Sequence, residues 1–156
     1  MIELLATIGI TATSALLFAY WFRYTSLLIL SAKTARDFAA EVAVANRLSF
    51  LEVQARLRQN AASDLDRLRD LLDRDYAVVR YLVDHASNAS LGQEALGQAA
   101  LETRMLAVNY KMMRGWYALS RRFSESAASR ALDEMSQVVA HFANAMGERA
   151  AAGAAA

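Results

Sequence analysis

The sequence predicts an all-α protein in which a single N-terminal transmembrane helix continues into a cytoplasmic up-down helical bundle, with about four helices in all. Three observations support this fold class. The 156 residues contain no proline and only six glycines, so few positions break a helix. An uncharged apolar run extends from residue 4 to residue 22. Apolar residues then recur at helical spacing through the rest of the chain.

The apolar run from Leu4 to Phe22 predicts the membrane anchor. At ~1.5 Å per residue, a helix of this length roughly covers the ~30 Å hydrocarbon layer of a bilayer. The run lacks the basic segment that precedes a signal peptide, so we expect an uncleaved anchor. Basic residues follow the run and none precedes it. The positive-inside rule therefore predicts an external N-terminus, with the C-terminal bundle on the cytoplasmic side of the inner (cytoplasmic) membrane.

Two groups of residues in and near the anchor are candidates for contacts with its surroundings. The membrane-interface group combines aromatic and basic side chains: Tyr20, Trp21, Arg23, Lys33 and Arg36. The second group is a row of small residues at every fourth position: Thr7, Thr11, Ala15 and Ala19. Small rows let helices approach closely in lipid, which predicts binding of a partner span. The alternative is that these residues simply face lipid.

The region after the anchor predicts a helical stalk. Residues 24–32 form a second apolar patch, too short to span by itself, either within the bilayer or at its surface. No proline or glycine interrupts this patch, so we expect one continuous helix from about Ile2 to about Arg58. Its apolar stripe comprises Phe38, Val42, Ala45, Leu48, Leu51 and Ala55.

Two further segments have one apolar stripe each. Ser63 with Asp66 resembles a capping box, and the stripe that follows is Leu65, Leu68, Leu72, Tyr76, Val79, Leu82, Val83 and Ala86. The last helix is predicted from about Ser124 to Gly147, with glycine as the residue after its end. Its stripe is Ala128, Ala131, Leu132, Met135, Val138, Val139, Phe142 and Met146. The Ala-rich tail is expected to be loose.

The helix between them carries two apolar rows. It is predicted to begin at a capping box of Ser90 and Gln93 and to run to about Arg122. One row is Leu96, Ala99, Leu106, Tyr110, Met113 and Tyr117, and the other is Leu101, Met105, Val108, Met112, Trp116, Leu119 and Phe123. A helix with two apolar faces is usually buried on both, which favours core packing against the stalk. The alternative is a partner-binding face that includes Met105, Met112, Trp116 and Phe123.

The predicted organisation is therefore an anchor with its juxtamembrane segment at residues 1–32, a stalk and three-helix bundle at 33–149, and a tail at 150–156. Net charge alternates between successive segments: +3 for 23–58, −2 for 59–90, +3 for 91–123 and −2 for 124–156. Oppositely charged neighbours in an up-down bundle disfavour wrong helix pairings.

The sequence also excludes several kinds of chemistry. It has no cysteine, and its two histidines lack the spacing of a metal-binding pair. No glycine-rich phosphate loop or catalytic triad pattern is present. We therefore expect no catalytic residues, no cofactor and no metal. The net charge of +1 predicts no attraction to nucleic acid.

These features predict a non-catalytic accessory or structural subunit that braces a larger membrane protein complex through its span and its bundle. The expected partners are other membrane-protein subunits and the lipid bilayer. A bioenergetic complex, respiratory or photosynthetic, is one suitable host, and a secretion or transport machine is another. The alternative function is a membrane-tethered adaptor or signalling module.

Overall fold

The computed structural model describes residues 1–32, 37–59, 64–86 and 93–154, and every regular element in these ranges is a helix. The helices are α1 (Ile2–Ser31), α2 (Ala39–Asn46), α3 (Phe50–Arg58), α4 (Leu65–Ala86), α5 (Gln93–Ser120) and α6 (Glu125–Ala154). The predicted all-α class is confirmed. The chain divides into two compact units, Met1–Lys33 and Thr34–Ala156.

The first unit consists of α1, which is long and apolar enough to cross a membrane. The candidate span Glu3–Ser31 contains an 18-residue window with a mean hydropathy of 1.6. Its large apolar side chains are exposed, including Leu16 at 71% and Phe18 at 65%. In water such a surface would be strongly unfavourable, so the composition of α1 suits an apolar surrounding.

The expected continuous helix from Ile2 to Arg58 is wrong, because the helix breaks at two places. The first break follows Ser31, since Ala32 adopts an extended conformation (φ −62°, ψ 121°). The next helix among the described residues is α2, whose start is held by side chains. A carboxylate oxygen of Asp37 accepts the Ala39 N–H at 2.9 Å, and the side-chain oxygen of Asn144 accepts the Phe38 N–H at 2.6 Å. Side chains of this type compete with helix formation and favour helix starts.

The second break separates α2 from α3. Arg47 adopts a left-handed conformation (φ 53°, ψ 44°), and the Leu48 N–H donates to the Ala43 carbonyl at 2.9 Å, as in a Schellman ending. A carboxylate oxygen of Asp75 on α4 accepts the Ser49 N–H at 2.5 Å. The side chain of Asp75 is fully buried and pairs with Arg74 at 3.1 Å. A buried acid from another helix thus holds the start of α3.

This second break changes which stalk residues are buried. The buried residues of α2 and α3 are Ala39, Val42, Ala43, Phe50, Val53 and Leu57. Val42 was in the predicted stripe, whereas Ala45, Leu51 and Ala55 are exposed. The predicted register already fails at Ala45, and beyond Arg47 it fails because it assumed an uninterrupted helical period.

The core of the second unit lies around α6, which packs against α2, α3, α4 and α5. The predicted stripes of α4 and α6 are confirmed at most positions. The buried apolar residues of these two helices are Leu65, Leu68, Leu72, Val79, Val83, Ala128, Ala131, Leu132, Met135, Val138, Val139, Phe142 and Ala143. Each helix has a single apolar stripe, which the structure buries. The helix α6 also buries Glu134, Ser136 and Asn144, because it has neighbours on several sides.

Gly147 does not end the last helix, because α6 continues to Ala154. A Cβ added at Gly147 would lie 2.3 Å from the Cβ of Phe38, so the glycine lets α2 approach α6 closely. The residues that follow are mostly alanine, the best helix former, and this explains why the predicted loose tail is helical as far as Ala154.

Side chains cap the starts of α4 and α6. A carboxylate oxygen of Asp64 accepts the Arg67 N–H at 3.1 Å at the start of α4, and the Ser124 hydroxyl accepts the Ala127 N–H at 3.3 Å at the start of α6. The predicted caps Ser63 and Ser90 lie outside the described residues.

Candidate partner-binding surface

One of the two apolar rows of α5 is buried, and the other is mostly exposed. Leu106, Tyr110, Met113 and Tyr117 of the first row are buried. The second row, which we call the α5 stripe, consists of Leu101, Met105, Val108, Met112, Trp116, Leu119 and Phe123. Trp116 is 50% exposed and Phe123 is 80% exposed. Met105 is half-buried, and the other members are exposed.

The interpretation that α5 is buried on both faces is therefore wrong. It required the stalk to cover the second face. Instead, α2 and α3 pack against α6, and α6 is the helix with neighbours on several sides. Met105, Met112 and Trp116 do lie on one face of α5, and Phe123 lies in the turn that follows it. The role of these four residues in partner binding stays a prediction.

The rotation of α5 is set by tyrosines that reach across to α4. The Tyr110 hydroxyl donates to the Asp73 carboxylate at 3.0 Å, and the Tyr117 hydroxyl donates to the Asp66 carboxylate at 2.8 Å. Donor and acceptor both recur after two helical turns, so the pattern repeats along an antiparallel pair of helices. The helices α4 and α5 contact each other through these long side chains, and their described backbones do not approach each other closely.

Arginines on α5 complete each tyrosine–aspartate pair. Arg114 lies 3.1 Å from Asp73, and Arg121 lies 3.9 Å from Asp66. Each arginine follows its tyrosine by four residues, which places both on the side of the helix that faces α4. These exposed pairs add little stability, but they favour one rotation of α5 over others.

Two buried contacts reinforce this rotation. The rings of Tyr76 and Tyr110 stack with centroids 3.9 Å apart and planes 7° from parallel. The Asn109 amide donates to the Glu134 carboxylate of α6 at 2.8 Å, and both residues are buried. A buried polar pair is costly to break, so α5 cannot rotate without losing it. The α5 stripe is consequently held on the surface.

The tyrosine hydroxyls act as neutral donors in this arrangement. Burial, followed by the nearby negative charge of Asp73 and the hydrogen bond to it, strongly raises the pKa of Tyr110. Burial and the hydrogen bond to Asp66 raise the pKa of Tyr117 to about 12. Both phenols therefore keep the proton that they donate at neutral pH.

A row of basic side chains borders the α5 stripe on one edge. Arg104, Lys111 and Arg122 are exposed, and none forms an ion pair with another side chain in the described part of the chain. At about 100° per residue, Arg104 and Lys111 lie roughly 80–100° from Met112 on the same side of α5, and Arg122 follows in the turn after Ser120. On the opposite edge, Asn109 is buried against α6.

The small row of α1 is exposed along its length. The hydroxyls of Thr7 and Thr11 each donate at 2.8 Å to a carbonyl one turn earlier, from Glu3 and Thr7 respectively. Because these hydroxyls are already satisfied, a partner span would have to associate by close packing rather than by hydrogen bonds from the threonines. Ala15 and Ala19 provide small exposed surfaces for such packing.

The structure describes three of the five residues in the membrane-interface group. Tyr20 is 72% exposed and Trp21 is 57% exposed, while Arg23 is half-buried. Lys33 and Arg36 lie outside the described residues.

The described residues of the second unit line two polar depressions, among others. One, of about 250 Å³, is lined by residues that include Arg80, Arg104 and Arg149, and the other lies between α3 and α6. Arg80 already pairs with Asp84 at 3.0 Å. Within the described residues, no cluster of histidine and acidic side chains could hold a metal ion.

Sequence reasoning missed the residues that orient α5. It placed Tyr110 and Tyr117 in an apolar row without noting that Asp66 and Asp73 repeat at the same seven-residue interval. Matching repeats of donors and acceptors on two helices were the available signal. It also did not identify Glu134, an acid whose side chain is buried.

Comparisons of the chain with protein-family models, with curated proteins and with solved structures found no match.

Proposed function

We propose that this protein is a non-catalytic accessory subunit of a larger membrane complex, anchored by α1 and docked through the α5 stripe. The observation that carries the proposal is the apolar row on α5 and the turn after it, in which six residues are exposed and Met105 is half-buried. Contiguous apolar surface on a folded domain marks interaction sites, because leaving it in water is costly. Trp116 near the middle of the stripe is of the residue type most enriched at interface hot spots.

The proposed location is the inner membrane, with the N-terminus outside and residues 34–156 in the cytoplasm. The absence of cysteine from the chain allows a direct test. Glu3→Cys and Ala151→Cys variants in intact cells would be treated with a membrane-impermeant maleimide. We expect labelling at position 3 and protection at position 151, and the reverse pattern would contradict the proposed orientation.

The docking role can be tested in native membranes with two matched variants. Met112→Glu with Trp116→Glu places charge in the stripe, whereas Val44→Glu places charge on α2 at a site that is 80% exposed. After gentle solubilisation, native sizing and mass spectrometry report the size and composition of the complex. We expect the wild type and the Val44 variant to remain in a larger complex of fixed stoichiometry, and the stripe variant to be released. A wild-type chain that runs as a monomer would overturn the proposal.

A membrane-tethered adaptor is the second candidate. Met105 and Met112 lie in the stripe, and methionine suits surfaces that bind several partners because its side chain adapts to different shapes. An adaptor would exchange partners reversibly, so its complexes would vary in composition between growth conditions instead of keeping one stoichiometry.

A further inference from the structure

We propose that the occupant of the α5 stripe is an amphipathic helix of another protein that carries acidic side chains along one edge. This inference rests on the proposed docking role and names the chemistry of the partner. It is carried by the juxtaposition of the stripe with the row of Arg104, Lys111 and Arg122.

The shape of the surface suits a helix. The stripe runs along one face of α5 from Leu101 to Leu119, which at ~1.5 Å per residue is roughly 27 Å, or about two and a half heptads, and Phe123 follows in the turn after α5. Its members recur at intervals of three or four residues, as in the seam of a two-helix contact. A partner helix with the same spacing would bury the whole row.

The charge along the stripe selects the partner. Three exposed basic side chains lie on one edge and have no acidic partners among the described residues, unlike Arg114 and Arg121, which pair with α4. Edge positions beside an apolar seam set partner choice through opposite charges. An acidic edge on the partner helix would neutralise all three cations at once.

A second copy of this chain is a poorer occupant. In an antiparallel pair of α5 helices, the two basic rows face each other and repel. In a parallel pair, each row faces the side of α5 that packs on α6, where Glu102 lies. Neither arrangement supplies three acidic partners.

A lipid surface is also less suitable. A helix that lies in the membrane interface presents both of its flanks to the headgroups. Here one flank carries the three cations, but the other carries Glu102 and the junction with α6. Contact with a single edge therefore favours a partner helix.

The test uses the full chain in nanodiscs of zwitterionic phosphatidylcholine, in a Trp21→Phe background that leaves Trp116 as the only tryptophan. The probes are three synthetic helices of about three heptads with leucine in the seam and glutamate, glutamine or lysine at the edges. Trp116 emission reports binding. We expect the glutamate peptide to bind about tenfold more tightly than the glutamine peptide, and the lysine peptide most weakly.

Charge reversal provides the matched control. The variant Arg104→Glu, Lys111→Glu, Arg122→Glu should invert the preference, so that the lysine peptide binds best. The variant Arg58→Glu, Arg67→Glu, Arg130→Glu changes net charge equally at exposed sites away from the stripe and should keep the original preference. Raised salt should reduce the difference between peptides.

The remaining outcomes overturn the inference in distinguishable ways. Equal affinity for all three peptides, or no binding while the native complex still requires the stripe, refutes the acidic helix but leaves the proposed function standing. A blue shift of Trp116 without peptide in nanodiscs containing phosphatidylglycerol identifies the bilayer as the occupant. Dimerisation that Met112→Glu abolishes identifies a second copy. If the stripe affects neither peptide binding nor the native complex, both proposals fail.

Discussion

Gly147 is the position where the absence of one carbon decides how two helices pack. It lies inside α6, where glycine is normally unfavourable, yet a Cβ there would lie 2.3 Å from the Cβ of Phe38 and 3.3 Å from a methyl group of Val42. The nearest atom belongs to the rigid root of the phenylalanine side chain, which cannot move without the backbone of α2. The close packing of α2 on α6 offsets the poor helix propensity of Gly147.

We expect Gly147→Ala to lower the free energy of unfolding by about 1–3 kcal/mol, since the overlap outweighs the gain in helix propensity. Gly115→Ala is the matched control, because a Cβ there meets nothing within 4 Å and should raise stability by up to about 1 kcal/mol. Thermal unfolding of the full chain in detergent, followed by circular dichroism, measures both. Equal stabilisation by the two substitutions would contradict the close approach of α2.

The raised pKa of Tyr117 predicts that the protein loses stability at alkaline pH. Burial and the hydrogen bond to Asp66 raise its pKa to about 12, so the folded state holds the phenolic proton more tightly than the unfolded state, whose pKa is about 10. The stabilising contribution is complete below about pH 10 and is lost as the pH rises towards about 12.

Tyr117→Phe tests this contribution. At pH 8 the variant should be less stable than the wild type by about 1 kcal/mol, because the buried hydrogen bond is lost. The difference should narrow above about pH 10. Urea unfolding at a series of pH values measures this difference in the free energy of unfolding between the variant and the wild type. A difference that stays constant up to about pH 11 would show that the hydroxyl does not donate to Asp66 in the folded state.

The helix α5 carries two apolar rows of similar strength, and its neighbours determine which is buried. Tyrosine–aspartate pairs to α4 and the Asn109–Glu134 contact to α6 fix its rotation. The first row then faces the core and the second row faces outward. The α5 stripe is therefore a consequence of packing elsewhere on the same helix.

The same substitution at two positions of α5 tests this assignment. Leu106 is fully buried, so Leu106→Ala should destabilise the protein by about 2–5 kcal/mol through lost packing and a cavity. Leu119 is 51% exposed, so Leu119→Ala should change stability by no more than about 0.5 kcal/mol. Thermal unfolding again provides the measurement. A large loss from Leu119→Ala would place that side chain in the core.

The two units of the chain differ in whether their apolar side chains are exposed or packed in a core. The first, Met1–Lys33, is a helix with an exposed apolar surface, and the second, Thr34–Ala156, has its own core around α6. A function that needs membrane attachment and a docking surface can use one unit for each. The small row of α1 adds a way for the anchor itself to contribute to specificity.

We expect Thr11→Leu with Ala15→Leu to leave the protein in the membrane, because α1 becomes more apolar, but to weaken its recovery with partner subunits. The control is Thr13→Leu with Ala6→Leu, which makes the same changes on the opposite face, where the Thr13 hydroxyl also donates to a carbonyl one turn earlier. Native gels after mild solubilisation compare the two. Unchanged association in both variants would make α1 a tether only.

Several features were predictable from the sequence because each depends on local chemistry. The absence of proline and the helical spacing of apolar residues predict the all-α class. The uncharged run predicts α1. The buried faces of α4 and α6 follow from a single stripe on each, since a helix with one apolar face has only one choice.

Other features were decided only by tertiary structure. The break at Arg47 depends on Asp75, which belongs to another helix and accepts the Ser49 N–H. The placement of Gly147 inside α6 depends on Phe38, more than a hundred residues earlier in the chain. The exposure of the α5 stripe depends on how many helices surround α5. A local pattern shows that a face is apolar, but only the positions of the other helices determine whether the folded chain itself covers that face or leaves it for a partner.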